Sequence, residues 1–387
     1  MVAPLDWGLG HASRCIPLIH YLLSIHWEVV LAGEGSSAEL LKQEFPNLRL
    51  IPLQGYRITY PKNGKWLILH LITQIPKIIR IIRYEKEWLT NLLRKEEFDF
   101  IISDNRYGLN SKDCYSILIT HQLQIISGMG KSIDALLQKM LYPLIHRFNL
   151  CWIPDSGSES NLAGLLSHPY ILPKNVKYIG PLSRLKAVDA TQQKGILVLL
   201  SGLEPQRTQL EEKLLEQLSQ LDLPVTFVRG IPVEGTRDEG RGTRDKGQGT
   251  RDKGQGEGEK GIGNRETSNP TTHNPKPKTQ NPQLNFMTSA ELEKALPNCS
   301  IVICRSGYSS IMDLLKVQKK AILIPTPGQT EQEYLAKRLS EMGVFVSQDQ
   351  ENLNLSQALA DCQSSNPAFI SLNFEEFKKA FQELGIS

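Results

Sequence analysis

The chain has 387 residues, of which 40% are hydrophobic and 22% charged, values typical of a soluble globular protein with two or more domains. The net charge of +3 is too small to indicate a nucleic-acid partner. The six cysteines are scattered without a C-x-x-C pair, which argues against a zinc site and a disulfide framework. The first glycine motif begins almost at Met1 with no signal peptide before it, so we expect a cytoplasmic protein.

A glycine loop opens the chain. The short apolar run Val2–Leu5 precedes the sequence DWGLGHASR and a segment with the apolar spacing of a helix. A strand, a Gly-x-Gly turn and a helix often hold a phosphate or substrate, although this pattern alone is unspecific. Gly8 and Gly10 are candidate binding residues, and His11 is a candidate base because imidazole is largely neutral at physiological pH. So little strand precedes the loop that we expect residues of the first strand to be missing.

Residues 66–94 are predicted to form a long helical region that is interrupted at Pro76. Its aliphatic residues are mixed with lysine and arginine, which leaves two interpretations open. One is a peripheral contact of residues 66–83 with an anionic membrane. The other is a core helix with a solvated basic edge. A transmembrane span is excluded because the proline and the charges leave too short an apolar run.

Two predicted buried strands are each followed by polar residues. Asp104 follows the strand at 98–103, and His121 follows the strand at 116–120. The carboxyl ends of parallel strands meet at one edge of a sheet, where α/β enzymes place ligands and catalytic groups. Asp104 and His121 are therefore further candidates for a base, with structural capping as an equal alternative.

The step from Gly180 to Pro181 predicts a boundary between two domains. The first domain comprises residues 1–180, a linker residues 181–194, and the second domain residues 195–372. The second domain opens with an apolar strand and a further glycine turn, in which Ser201 and Gly202 are candidate binding residues.

Residues 235–283 repeat units such as GTRDKGQ and contain almost no apolar residue. They cannot bury enough surface to offset the entropy of ordering, so they are predicted to be a disordered insertion in the second domain. A stacked repeat is argued against because each unit lacks an apolar position. At the other end of the domain, residues 373–387 are predicted to form a helix that starts at Asn373 with Glu376 in a capping box and packs back on the first domain.

The most informative stretch is 300–336, SIVICRSGYSSIMDLLKVQKKAILIPTPGQTEQEYLA. Its pattern predicts a strand, a glycine turn, a helix, a strand, a proline loop and a second helix. Gly307 would let the backbone approach an anion, and the helix after it would present free N–H groups. Arg305, Ser306 and Ser309 could add side-chain donors.

This combination resembles the C-terminal domain of GT-B glycosyltransferases of the family 28 type. In that family an Arg-Ser-Gly turn leads a helix, whose acid binds the ribose of the nucleotide, and a polar pair after the proline loop binds sugar hydroxyls. Asp313 and the pair Glu331 and Gln332 stand at these positions. The loop from Gly8 to Arg14 also resembles the Gly-x-Gly-His loop of the family's first domain.

The resemblance implies an α/β protein of the GT-B class, with two Rossmann-like domains facing across a cleft. It implies the transfer of a hexose or N-acetylhexosamine from a UDP-sugar to an unknown acceptor, such as a glycan or a lipid-linked molecule, by a metal-independent, inverting displacement without a cofactor. The residues implied to bind the nucleotide sugar are Gly8, Gly10, Ser201, Gly202, Arg305, Ser306, Gly307, Ser309, Asp313, Glu331 and Gln332. A UDP-sugar epimerase or hydrolase and a non-catalytic nucleotide-sugar-binding subunit remain alternatives.

Overall fold

A computed structural model describes residues 1–58, 73–159, 161–186, 195–202, 204–230 and 283–386. Of the insertion predicted at 235–283, only Gln283 is described, and it pairs with Phe227 in a strand, so the predicted end of the insertion is wrong by one residue. The rest of the insertion lies outside the described residues. The same holds for the first part of the segment 66–83, up to residue 72.

The first domain is built on a parallel sheet of seven strands in the order β3-β2-β1-β4-β5-β6-β7. The strands are β1 Val2–Pro4, β2 Val30–Gly33, β3 Arg49–Pro52, β4 Phe100–Asp104, β5 Tyr115–Ile119, β6 Leu150–Ile153 and β7 Val176–Tyr178. The order of the strands reverses at β1, which pairs with both β2 and β4. Ligands of such sheets bind beyond the carboxyl ends of the strands at this reversal.

Four described helices cover this sheet: α1 Leu9–Ser24, α2 Gly35–Glu44, α3 Ile75–Leu93 and α4 Lys131–Ile145. Helix α1 begins after Gly8, whose φ of 84° lies in the left-handed region that favours glycine. In α3, Ile81 and Ile82 are buried while Ile79 and Arg80 are exposed. This arrangement supports a core helix with a solvated basic edge, and the membrane contact stays a prediction. Among the described residues, no helix is long and apolar enough to cross a membrane.

The second domain has a parallel sheet of six strands in the order β10-β9-β8-β11-β12-β13. The strands are β8 Ile196–Leu199, β9 Val225–Val228, β10 Gln283–Leu284, β11 Ile301–Cys304, β12 Lys320–Leu323 and β13 Val346–Ser347. The helices are α5 Gln206–Leu218, α6 Ser289–Ala295, α7 Tyr308–Lys316, α8 Thr330–Glu341 and α9 Leu355–Ser364. The order of elements predicted for 300–336 is thus confirmed by β11, α7, β12 and α8. The α/β class with two Rossmann-like domains is confirmed as well.

The last helix, α10 Glu376–Gln382, lies in the hydrophobic core of the first domain. Its Phe381 is fully buried, and its ring lies 4.8 Å from that of Trp152, centroid to centroid. The Tyr21 ring of α1 lies 5.4 Å from the Phe381 ring. The chain therefore returns from the second domain to complete the core of the first.

The predicted start of this helix is wrong. Helix α10 begins at Glu376 with Glu375 as its N-cap, and no side chain caps it. The side chain of Asn373 instead accepts a hydrogen bond from the backbone N–H of Glu375. Such a local turn competes with helix geometry, which delays the first helical residue.

Candidate functional site

The carboxyl edges of the two sheets face each other and are joined by direct hydrogen bonds. Ser309 Oγ in α7 donates to the backbone oxygen of Gly10 in α1 at 2.7 Å. The hydroxyl of Tyr308 donates to the backbone oxygen of Pro154, directly after β6. The side chains that follow the strands of both domains therefore share one interface.

His11 and Asp104 form a hydrogen-bonded pair at this interface. Because Pro4 and Asp104 are partners in the parallel pairing of β1 and β4, the loop after β1 leads directly past the Asp104 carboxylate. The first turn of α1 then places His11 Nδ1 2.9 Å from Asp104 Oδ1. Asp104 is fully buried, whereas the His11 side chain is 15% exposed. His11 is thus the member of the pair that is partly open to solvent.

Arg14 is the centre of a buried charged network. Its guanidinium donates two hydrogen bonds to the carboxylate of Asp104. It also lies 2.7 Å from His11 Nδ1 and 2.8 Å from His121 Nδ1. Sequence reasoning missed Arg14, although its position three residues after His11 places both on one face of the helix.

This network shifts two pKa values in ways that suit a base. Burial alone would raise the pKa of Asp104, but the charges and hydrogen bonds of Arg14 and His11 outweigh burial and lower it to about 2. Burial, and next to it the positive charge of Arg14, lower the pKa of His11 from its ordinary value. At neutral pH, Asp104 is therefore ionised and His11 is uncharged.

His121 connects the network to the second domain. Its Nε2 lies 2.8 Å from Oε1 of Glu331, in the first turn of α8. Its ring stacks on that of Tyr308, with centroids 4.1 Å apart and planes inclined by 10°. Burial would raise the pKa of Glu331, but its hydrogen bond with His121, together with the nearby charge of Arg14, holds it below its ordinary value. The structure thus brings four of the predicted residues, His11, Asp104, His121 and Glu331, into one cluster.

Two helices start next to each other at this cluster. Helix α1 has Gly8 as its N-cap and α7 has Gly307, and neither of these two helices has a side-chain cap. In contrast, α6 has a capping box, in which Thr288 accepts from the backbone N–H of Glu291. The first N–H groups of a helix have no partner within it, and its N-terminus carries positive potential. The two glycine starts therefore form a surface suited to an anion.

Several predicted binding residues hold the second domain together. Arg305 is fully buried, and its guanidinium donates to the backbone oxygens of Ile324, Pro325 and Gln206. Burial lowers its pKa to about 9. Ser306 donates to the backbone oxygen of Gln332, whose side chain accepts from the backbone N–H of Thr326. These residues fix the proline loop beside the cluster, and their contact with a ligand stays a prediction.

Asp313 lies against the linker between the domains. Its carboxylate accepts hydrogen bonds from Ser183 Oγ at 2.6 Å and from the backbone N–H of Arg184 at 3.3 Å. Burial raises its pKa above the ordinary value in spite of these donors. The predicted contact of Asp313 with a ribose stays a prediction.

The turn after β8 lies next to the proline loop. Ser201 and Gly202 lie in this turn, where Gly202 has a φ of 105°. A Cβ added to Gly202 would lie 3.9 Å from Thr326 Oγ1, so this turn borders the proline loop.

Within the described parts of the chain, no group of three or more His, Cys, Asp and Glu residues is placed to hold a metal ion.

Comparisons with known proteins agree with this architecture. Residues 262–384 match the model of the glycosyltransferase family 28 C-terminal domain. No curated protein sequence shows a significant match. Among solved structures, the glycosyltransferase of kitacinnamycin is 14% identical, covering 99% of this chain and 94% of its own with a TM-score of 0.58. The glycosyltransferase SnogD of Streptomyces nogalater is 12% identical. The match covers 100% of this chain and 98% of SnogD, with a TM-score of 0.56.

The spinosyn rhamnosyltransferase SpnG, complexed with thymidine diphosphate, is a third similar structure. It is 12% identical, the match covers 99% of this chain and 94% of that one, and the TM-score is 0.56. At such low identity the similarity of these structures shows the fold, which is that of the GT-B proteins. The match to residues 262–384 assigns the second domain to its type.

Proposed function

We infer that this chain, a GT-B glycosyltransferase of the family 28 type, transfers a hexose or N-acetylhexosamine from a UDP-sugar to an acceptor hydroxyl. Such a transfer needs a base for the acceptor and a site for the charge of the leaving diphosphate. The observation that carries the inference is the position of the pair formed by His11 and Asp104, which lies beside the N-termini of α1 and α7. We propose an inverting displacement that needs no metal.

His11 is the proposed base. When its Nδ1–H donates to Asp104, Nε2 has a free lone pair and can accept the proton of the acceptor hydroxyl. Because the pKa of His11 is lowered, the ring is neutral at physiological pH. The ionised Asp104 would then stabilise the imidazolium that forms.

The two helix N-termini are proposed to stabilise the leaving group. The acceptor oxygen forms a bond to the anomeric carbon while the bond from that carbon to the diphosphate oxygen breaks. The electron pair of the broken bond stays on the diphosphate, and the acceptor proton moves to His11. N–H groups and dipoles that already point at the developing charge lower the barrier, because they need no rearrangement during the reaction. The hydroxyl of Ser309 lies at the same place.

Binding of the donor is proposed to separate the two domains slightly. The hydrogen bond from Ser309 to Gly10 spans the place where the diphosphate would lie between the helices. Glu331, which pairs with His121, would exchange this partner for hydroxyls of the sugar. The closed arrangement would then reform around the bound donor, which excludes water from the reaction.

The nucleoside is proposed to be uridine, on the resemblance of residues 300–336 to family 28. A nucleoside diphosphate is also the ligand in the spinosyn rhamnosyltransferase structure, which carries thymidine diphosphate. We propose a glycan or a lipid-linked molecule as the acceptor.

The proposal is tested on the full-length chain in two steps. A thermal-shift comparison of UDP, thymidine diphosphate, UDP-glucose and UDP-N-acetylglucosamine identifies the donor. UDP release is then measured with glycan and lipid-linked acceptors. His11→Ala should keep the UDP affinity within a few-fold and lower turnover about 10²–10⁴-fold, the usual contribution of a general base. His20→Ala, which changes an exposed histidine of the same helix, is the control.

Other outcomes identify the alternatives. Conversion of the UDP-sugar without an acceptor would indicate an epimerase or a hydrolase. Binding of UDP without any turnover would indicate a non-catalytic subunit. Unchanged turnover in His11→Ala would move the base role to Asp104 or His121, and lost UDP binding would make His11 a contact of the diphosphate.

A further inference from the structure

Arg14 is buried at the point where the two domains meet. It is 2% exposed and lies one helical turn after His11, so its guanidinium reaches Asp104, His11 and His121 together. A guanidinium has five N–H donors and no acceptor, and it stays charged in proteins. A ring nitrogen at hydrogen-bond distance from the guanidinium must therefore accept a hydrogen bond from it. A ring nitrogen that carries a proton must instead donate that proton to another group.

This restriction assigns the tautomer of His121. Arg14 Nη1 lies 2.8 Å from His121 Nδ1, so Nδ1 accepts and carries no proton. In the neutral ring the proton is then on Nε2, which lies 2.8 Å from Glu331 Oε1. His121 therefore donates to Glu331. One continuous chain of hydrogen bonds runs from Asp104 in the first domain to Glu331 in the second.

The same restriction leaves two states for His11. Its Nδ1 lies 2.9 Å from Asp104 Oδ1 and 2.7 Å from Arg14 Nη2. A proton on Nδ1 bonds to Asp104 and leaves Nε2 able to act as a base. In the other state Nδ1 carries no proton and accepts a hydrogen bond from Arg14. The proton of the ring is then on Nε2, which cannot act as a base. The proposed base role requires the first state, in which Arg14 Nη2 donates to Asp104 Oδ1 and not to the ring.

We propose that Arg14 is a positioning residue that holds Asp104 and His121 in one network, orients the carboxylate that fixes the tautomer of His11 and presents His121 as the donor to Glu331. The titratable groups that face the guanidinium are His11, Cys15, Asp104, Tyr107 and His121 of the first domain, and Tyr308 and Glu331 of the second. Arg14 thereby links the base in one domain to the carboxylate that, under the proposed function, binds the sugar in the other.

The first test measures ring tautomers and needs no substrate. The full-length protein is labelled with ¹⁵N-histidine, and the signals of His11 and His121 are assigned through His11→Gln and His121→Gln. In the wild type, His121 should carry its proton on Nε2, and Arg14→Met should weaken this preference, because only the hydrogen bond to Glu331 then favours it. The control is Arg106→Met, which changes another fully buried arginine of the first domain, paired with Glu85. It should leave both rings unchanged.

The outcomes of this test are distinct. A proton on Nδ1 of His121 in the wild type would overturn the proposal, whatever the variants do. An unchanged tautomer population of His121 in a folded Arg14→Met protein would overturn it as well. Arg14→Lys keeps the charge but not the forked donors, and it should also weaken the preference for Nε2 at His121. It therefore serves as the second variant where Arg14→Met does not fold.

The second test is kinetic, and only this test rests on the proposed transfer reaction. Arg14→Lys should lower kcat by up to about 100-fold, because the base is misplaced, while KM for the UDP-sugar changes much less. In Arg14→Met, loss of the positive charge raises the pKa of His11, so the acid limb of kcat/KM should move to higher pH. If Arg14 had only a structural role, the acid limb of kcat/KM would stay at the same pH as in the wild type. Absence of any turnover in the wild type would contradict the proposed function, and the tautomer result would still stand.

Discussion

Replacing Asp104 with asparagine tests the electrostatics of the buried network. The pKa of Asp104 is about 2 instead of 3.8, so the folded state favours the carboxylate. This difference corresponds to roughly 2 kcal/mol at neutral pH. Asp104→Asn also leaves the buried charge of Arg14 without its partner, and breaking such a pair typically costs about 3–5 kcal/mol. At pH 7 we therefore expect a loss of unfolding free energy of at least about 2 kcal/mol.

The loss should depend on pH in a defined direction. The folded pKa of Asp104 is lowered, so its contribution to stability is fully present above the ordinary value of 3.8 and is lost as the pH falls toward 2. Urea denaturation followed by circular dichroism measures the unfolding free energy of wild type and variant between about pH 3 and pH 7. The difference between the two proteins should shrink toward the acid end.

Asp313→Asn is the matched control for this experiment. Burial raises the pKa of Asp313, so its carboxylate opposes folding at neutral pH. The unfolding free energy of Asp313→Asn relative to wild type should therefore increase as the pH rises, whereas that of Asp104→Asn relative to wild type should decrease. A loss in Asp104→Asn below about 0.5 kcal/mol, or one that is equal at all pH values, would refute the electrostatic argument.

Phe381→Ala should cost about 3–5 kcal/mol of unfolding free energy in urea denaturation, because this fully buried ring lies in the core of the first domain. Lys379→Ala, on the exposed side of the same helix, should stay within about 0.5 kcal/mol of the wild type, and equal effects would contradict the packing of α10. If the Asp313 carboxylate binds the ribose, Asp313→Ala should weaken UDP binding by about 1–3 kcal/mol in calorimetric titration. Ser183→Ala removes only a linker contact and should not weaken it, so equal losses would assign Asp313 to the linker. Replacing residues 235–282 by a short Gly-Ser linker, which leaves β10 intact, should leave the melting temperature almost unchanged, because each doubling of loop length costs only about 0.6 kcal/mol. A loss of several kcal/mol would show that the segment packs on the fold.

The sequence alone was sufficient for the order of elements around both glycine turns. The alternation of apolar runs, glycines and helical spacing between residues 300 and 336 is a local property, and β11, α7, β12 and α8 follow it closely. The positions of His11, Asp104 and His121 after predicted strands were also readable, because parallel strands bring their carboxyl ends to one edge. The start of α10 could not be predicted from the sequence, because a side-chain turn at Asn373 competes with the helix.

Only the tertiary structure decided which of these polar side chains meet. Glu331 lies 210 residues after His121, and their contact depends on how the two sheets face each other. Arg305 stands in a turn that predicts an anion site, yet its guanidinium points inward because buried backbone oxygens of the neighbouring loops need donors. Arg14 is one of many polar residues on an amphipathic helix, and its role arises from the carboxylate that β4 places beneath it. Local sequence periodicity determines elements, whereas the partners of a buried charge are determined by the packing of elements distant in the chain.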